Sequence, residues 1–67
     1  MTDITTISTS ELEEDLVASQ NDINWCDLGL AIGITEVCGR SLQDRIRGNM
    51  EIIVVIQKEL HRRSQLN

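Results

Sequence analysis

The stretch CGRSLQDRIR, from Cys38 to Arg47, gathers the residues of this chain best suited to ligand chemistry. Gly39, Arg40 and Ser41 stand just before a helical pattern, and Arg45 follows one turn later. Free backbone N–H groups at a helix start, a hydroxyl and guanidinium forks together suit a phosphate or a carboxylate. An oligomer would repeat the constellation, and neighbouring copies could then grip a nucleotide. The plainer reading is that Ser41 caps a helix and the arginines are solvated, as in any Ser-capped helix near an arginine.

Little else in the chain is arranged for chemistry. His61 sits in a basic terminal turn with no serine or cysteine in a recognisable arrangement, and it reads as compensation for the helix dipole. Cys26 falls on an apolar helical seam and reads as a small core residue. Cys38 lies near Arg40 and is the more reactive thiol, but nothing pairs it with a base. These two cysteines and one histidine have no metal-like spacing. The carboxylates of Glu11, Glu13, Glu14 and Asp15 face solvent in prospect, away from any tuned acid–base role. No enzyme activity, metal or cofactor is expected. Direct nucleic-acid binding is not expected either, because six basic residues without interleaved aromatics sit in a chain of net charge −5.

The elements that would position these residues follow from composition and periodicity. A chain of 67 residues makes one small domain, and such a scaffold needs disulfides, metal or association with other chains. One potential disulfide is no framework, so association is the remaining route. Proline, phenylalanine and tyrosine are absent and there is one tryptophan, which disfavours a sandwich or barrel and favours an all-helical chain. No secretory signal is visible, and no apolar run approaches the roughly 20 residues that span a bilayer. The chain therefore reads as soluble and cytoplasmic with reduced thiols, and no membrane partner is expected.

Residues 1–9 are polar and without period, which predicts a mobile arm. Ser10 with Glu13 forms a capping-box pattern, and Leu12, Leu16, Ser19, Ile23, Cys26 and Leu30 then trace an a/d seam. A helix over about 11–32 follows. Gly33 opens a joint over about 33–41 that is favoured as a loop, with a short strand pair also compatible. Ser41 and Asp44 start a second helix over about 42–63, with its seam at Leu42, Ile46, Asn49, Ile53, Ile56 and Leu60. The β-branched run Ile52 to Ile56 alone looks like a strand, but the seam is too long for one. Residues 65–67 form a tail. The predicted fold is an all-α antiparallel two-helix hairpin over 10–64.

The charges agree with that arrangement. Residues 1–39 contain eight acids and no Lys or Arg, whereas residues 40–67 contain six bases and three acids. An antiparallel hairpin would bring acids 11–15 beside bases 58–63. The alternative is that both groups are simply solvated faces.

Each helix carries more apolar surface than one seam needs. Ala18, Trp25, Leu28 and Ile32 form a second patch on the first helix; Gly48, Ile52 and Val55 lie off the seam of the second. A helix apolar nearly all round is normally buried all round, and two helices cannot supply that cover. A four-helix bundle made from two hairpins, or a larger helical oligomer, can. Trp25, Leu28, Ile32, Ile52 and Val55 are the candidate interface, with Trp25 as anchor unless it merely covers the hairpin's own core. Asn49 on the seam is suited to fixing register or oligomeric state.

The order helix, Gly-containing joint, then G-R-S into a second helix covers roughly residues 28–63. It resembles very small phage and prophage proteins of the gpW-like head–tail joining type, although the joint is short for their β-hairpin. The resemblance implies a non-enzymatic, phage-type interaction protein, equally an accessory or a counter-defence protein. The expected partners are the chain itself and another protein. A small anionic-ligand or nucleotide binder using Gly39, Arg40, Ser41 and Arg45 is the alternative.

Overall fold

A computed structural model describes residues 3–66. Helix α1 spans Thr9–Ala31 and helix α2 spans Leu42–Ser64, and the two pack antiparallel as a hairpin. A 3-10 turn, Ile4–Thr6, precedes α1. Two short strands, β1 at Glu36–Val37 and β2 at Arg40–Ser41, lie between the helices. The mostly helical hairpin expected from the sequence is present. No helix among the described residues is long and apolar enough to cross a membrane.

The core is the meeting of the two predicted seams. Leu12, Ser19, Cys26, Leu42 and Ile56 are buried, and Leu16, Ile23, Leu30, Ile46, Asn49, Ile53 and Leu60 are half-buried between the helices. Leu12 is the most enclosed, at 1% exposure. Ser19 is small enough to let the axes approach at the middle of the seam. Gly29 has the same effect at the turn end, where a Cβ would come within 2.9 Å of Leu42 Cδ1.

The first helix starts two residues earlier than the Ser10 box predicts. Ser8 is the N-cap, and its hydroxyl accepts from the Glu11 backbone N–H at 3.2 Å. The chain therefore uses the overlapping Ser8–Glu11 spacing and leaves Ser10 inside the first turn. The start is moved outward by what precedes it. Residues 3–8, expected to belong to a mobile arm, are tied to α2 by Arg63, which donates to the carbonyls of Ile4 at 3.1 Å and Ile7 at 2.6 Å. Residues 1 and 2 of that predicted arm, and residue 67 of the predicted tail, lie outside the described residues.

At its other end α1 closes with two interlocked backbone bonds. Gly33 N–H reaches Leu30 O at 3.1 Å, and Ile34 N–H reaches Gly29 O at 2.8 Å. Gly33 supplies the left-handed φ of +94° that this Schellman closure requires. The joint resolves to the strand pair rather than the favoured loop. Glu36 pairs with Ser41 and Val37 with Arg40. Cys38 and Gly39 both have positive φ, 54° and 78°, which is the type I′ geometry whose twist matches paired strands. Cysteine is an unusual occupant of that position, so the sequence carries no Asn-Gly or Asp-Gly signal for the turn.

Ser41 caps α2 as its spacing predicts, accepting from Asp44 N–H at 3.5 Å, the long end of the range. His61, Arg62 and Arg63 occupy the last turn, where the dipole favours cations.

The two candidate caps of α1 make different predictions. Ser8→Ala is expected to cost about 1 kcal/mol, whereas Ser10→Ala should change stability by less than about 0.5 kcal/mol. Urea midpoints of the two variants check this; equal losses would return the cap to Ser10.

Candidate interaction surface

Two polar clusters hold the hairpin in register and define its sides. At mid-length Asp22 receives both Nε and Nη2 of Arg45, each at 2.7 Å, and Nδ2 of Asn49 at 2.6 Å. Asn49 also donates to the Arg45 carbonyl at 3.0 Å. The seam asparagine thus serves the chain's own register. The Arg45 hydrogen bonds, and then that from Asn49, hold the Asp22 carboxyl below the usual aspartate range.

The second cluster lies where the ends meet. Glu59 accepts from Arg62 Nε and Nη2, both at 2.7 Å, and from Arg63 Nε at 2.8 Å. Arg63 continues to Thr9 Oγ1 at 3.0 Å and to the carbonyls before α1. The Arg62 hydrogen bonds outweigh desolvation and, with that of Arg63, bring the Glu59 carboxyl from 4.5 down to about 2. The expected pairing of acids 11–15 with bases 58–63 is not what forms. Among the described residues the ion pairs are Asp22–Arg45, Glu59–Arg62 and Glu59–Arg63. Arg63 is captured by Glu59 one turn away and by backbone oxygens, which leaves Glu11, Glu13, Glu14 and Asp15 to solvent. Sequence inspection missed Asp22 and Glu59 because their partners are set by helix phase, and neither sits on the apolar seam.

The Asp22–Arg45 pair also shows which stripes of the two helices border one face. On α1 the stripe through Asp22 runs Asp15, Ala18, Asp22, Trp25 and Gly29 and reaches Ile32. On α2 the stripe through Arg45 runs Arg45, Gly48, Ile52, Val55 and Glu59. Both follow alternating steps of three and four residues, so each is one side of its helix. Between them lie two depressions. One, at the turn end, is bounded by Trp25, Leu28, Ile32, Ile34, Val37 and Leu42. The other is bounded by Ile4, Ile7, Leu12, Gly48, Ile52 and Val55.

The candidate interface residues are all exposed. Trp25 is 74% exposed and Ile32 70%, while Leu28, Ile52 and Val55 are each about half exposed. Trp25, Ile32, Ile52 and Val55 share the face just described, and Leu28 lies at its outer edge. Trp25 therefore does not cover the hairpin's own seam. The opposite face has a smaller apolar group, with Met50 and Val54 beside Ile23, Ile46 and Ile53.

Of the candidate anion-binding residues, three have other engagements. Ser41 caps α2, Arg45 is held bidentately by Asp22, and Gly39 forms the turn. Arg40 is exposed on β2. Cys26 is buried and Cys38 exposed, and neither is paired. No group of His, Cys, Asp and Glu among the described residues is placed to hold a metal ion. No family model matches the chain, and no curated protein or solved structure matches it significantly.

The two carboxylates impose an acid dependence. A carboxyl whose folded value is depressed contributes fully above its unfolded value and loses that contribution as pH falls toward the folded one. Stability should therefore fall from pH 4.5 toward about 2 as Glu59 takes up its proton, with Asp22 contributing in the same direction. Denaturant midpoints against pH measure it. Glu59→Gln should flatten the curve in that window; an unchanged slope would show that Glu59 does not carry it.

Proposed function

We propose that this chain is a non-enzymatic interaction protein of the cytoplasm, a helical hairpin that self-associates and acts by binding another macromolecule. The observation that carries the reading is surface area. The chain exposes 5214 Å², whereas a compact monomer of 7.6 kDa exposes about 4,300 Å². The excess of about 900 Å² is close to the roughly 800 Å² that each partner contributes to a standard interface. Trp25, Leu28, Ile32, Ile52 and Val55 are among the exposed apolar side chains, and covering them would be favourable.

Assembly of two hairpins into a four-helix bundle, or of more into a larger helical oligomer, is the simplest way to cover that face. Glu13, Glu14 and Asp27 of α1 are unpaired, lie off the Asp15–Ile32 stripe and are available to a second, different partner. Two unpaired thiols suit a reducing compartment. The phage- or prophage-type accessory or counter-defence role is proposed on the sequence resemblance through the G-R-S pattern. The rival reading, an anionic-ligand binder built on Gly39, Arg40, Ser41 and Arg45, requires a ligand that competes with Asp22 for Arg45.

Light scattering behind size exclusion tests the proposal. The expected mass at micromolar concentration is a dimer or a higher multiple, and a monomer throughout would reject self-association. Trp25→Ala should weaken assembly by about 2 kcal/mol or more, as burial of a hot-spot tryptophan implies. A thermal-shift series with inorganic phosphate and nucleotides addresses the rival. A shift that Arg40→Ala abolishes would favour the ligand binder.

A further inference from the structure

Of the four glycines, three have a reason within the chain. Gly33 and Gly39 hold positive φ, and Gly29 leaves room for Leu42. Gly48 has no such reason. It lies inside α2 without positive φ, and a Cβ there would meet nothing within 4 Å. Glycine is among the least favourable residues for a helix interior. Its neighbours along the same stripe, Ile52 and Val55, stand about half exposed. Arg47 and Glu51, on the outer flank beside it, belong to none of the ion pairs among the described residues.

We propose that α2 of one copy crosses α2 of a second copy antiparallel at Gly48, with Ile52 of each chain seated on Gly48 of the other. The proposal rests on the self-association above and adds its contact point. Two-fold symmetry makes the contact reciprocal, because whenever one residue touches another across such an axis the converse contact also forms. A crossing that sets Ile52 on Gly48 is therefore satisfied twice by one arrangement. The missing Cβ lets the two backbones approach, and the β-branched Ile52, stiff about χ1, fills the gap with little entropy loss. The same register places Val55 against the aliphatic stem of Arg45, whose charged end remains with Asp22. On the outer flank it brings Arg47 of each chain beside Glu51 of the other, so the rim charges are complementary. A second copy is favoured over an unrelated protein because this complementarity and the excess area are both properties of the one chain.

Gly48→Ala separates this role from a structural one. Alanine is the better helix former and meets open space within the chain, so the hairpin itself should keep or gain thermal stability at high dilution. Its dimer dissociation constant should nevertheless rise about tenfold or more. Arg47→Glu should also weaken the dimer, and adding Glu51→Arg to it should restore assembly. The readouts are circular dichroism for the hairpin and sedimentation equilibrium for the mass. A wild-type dimer whose dissociation constant is unchanged by Gly48→Ala and by Arg47→Glu overturns the crossing but leaves self-association standing. A wild-type monomer at every concentration overturns both, and leaves the face to a different protein.

Discussion

A pair of helices has a single mutual seam, and everything in this molecule is arranged around how little that seam can hide. Each helix contributes one apolar stripe to it, and that stripe fills with Leu12, Cys26, Leu42 and Ile56 at the centre. Whatever apolar residues lie a third of a turn away have no third helix to meet. Trp25, Ile32, Ile52 and Val55 are left outside by geometry, not by weak hydrophobicity. A core this narrow also gives loose control over sliding, because neighbouring rungs of aliphatic residues resemble one another. The polar clusters at Asp22 and Glu59 meet that need. Asp22 bridges from α1 to Arg45 and Asn49 of α2, which fixes both rotation and axial offset at mid-length. Glu59 orients Arg63 so that it reaches across to Thr9 and the preceding carbonyls.

The division of labour between the two ends follows from their chemistry. The closed end has a Schellman closure, a type I′ turn and the Ser41 cap in immediate succession, so its backbone groups are consumed locally. It can therefore carry exposed apolar side chains without frayed backbone beneath them. The open end must hold the segment before α1 against the last turn of α2. It does so with charge-assisted hydrogen bonds to one arginine, which are directional and tolerate water better than an apolar plug would.

Much of this was legible beforehand. The seam positions were readable because a step of alternating three and four residues survives even where the residue is Ser19 or Asn49. The β-branched run in α2 did not deceive, since its flanks continued the same period. The strand pair was weakly signalled because Cys38 stands where asparagine, aspartate or glycine ordinarily marks such a turn. The order before α1 was not legible, because it depends on Arg63, which lies 56 residues from Ile7. The acids at 11–15 looked destined for the bases at 58–63, but proximity along an idealised hairpin does not account for a competing carboxylate one turn away. In the candidate anion site, the engagement of Arg45 by Asp22 came from helix phase, which local spacing does not reveal.

The clasp of Arg63 over the segment before α1 gives the hairpin a polarity that no single helix has. The segment before α1 and the end of α2 lie together at one end of a body 47 Å long, and the turn occupies the other. If two such bodies cross antiparallel at Gly48, the clasped ends of the two copies lie at opposite extremes. The assembly would then be a rigid bar with like ends, a strut able to hold two identical attachments apart at a distance set by helix length.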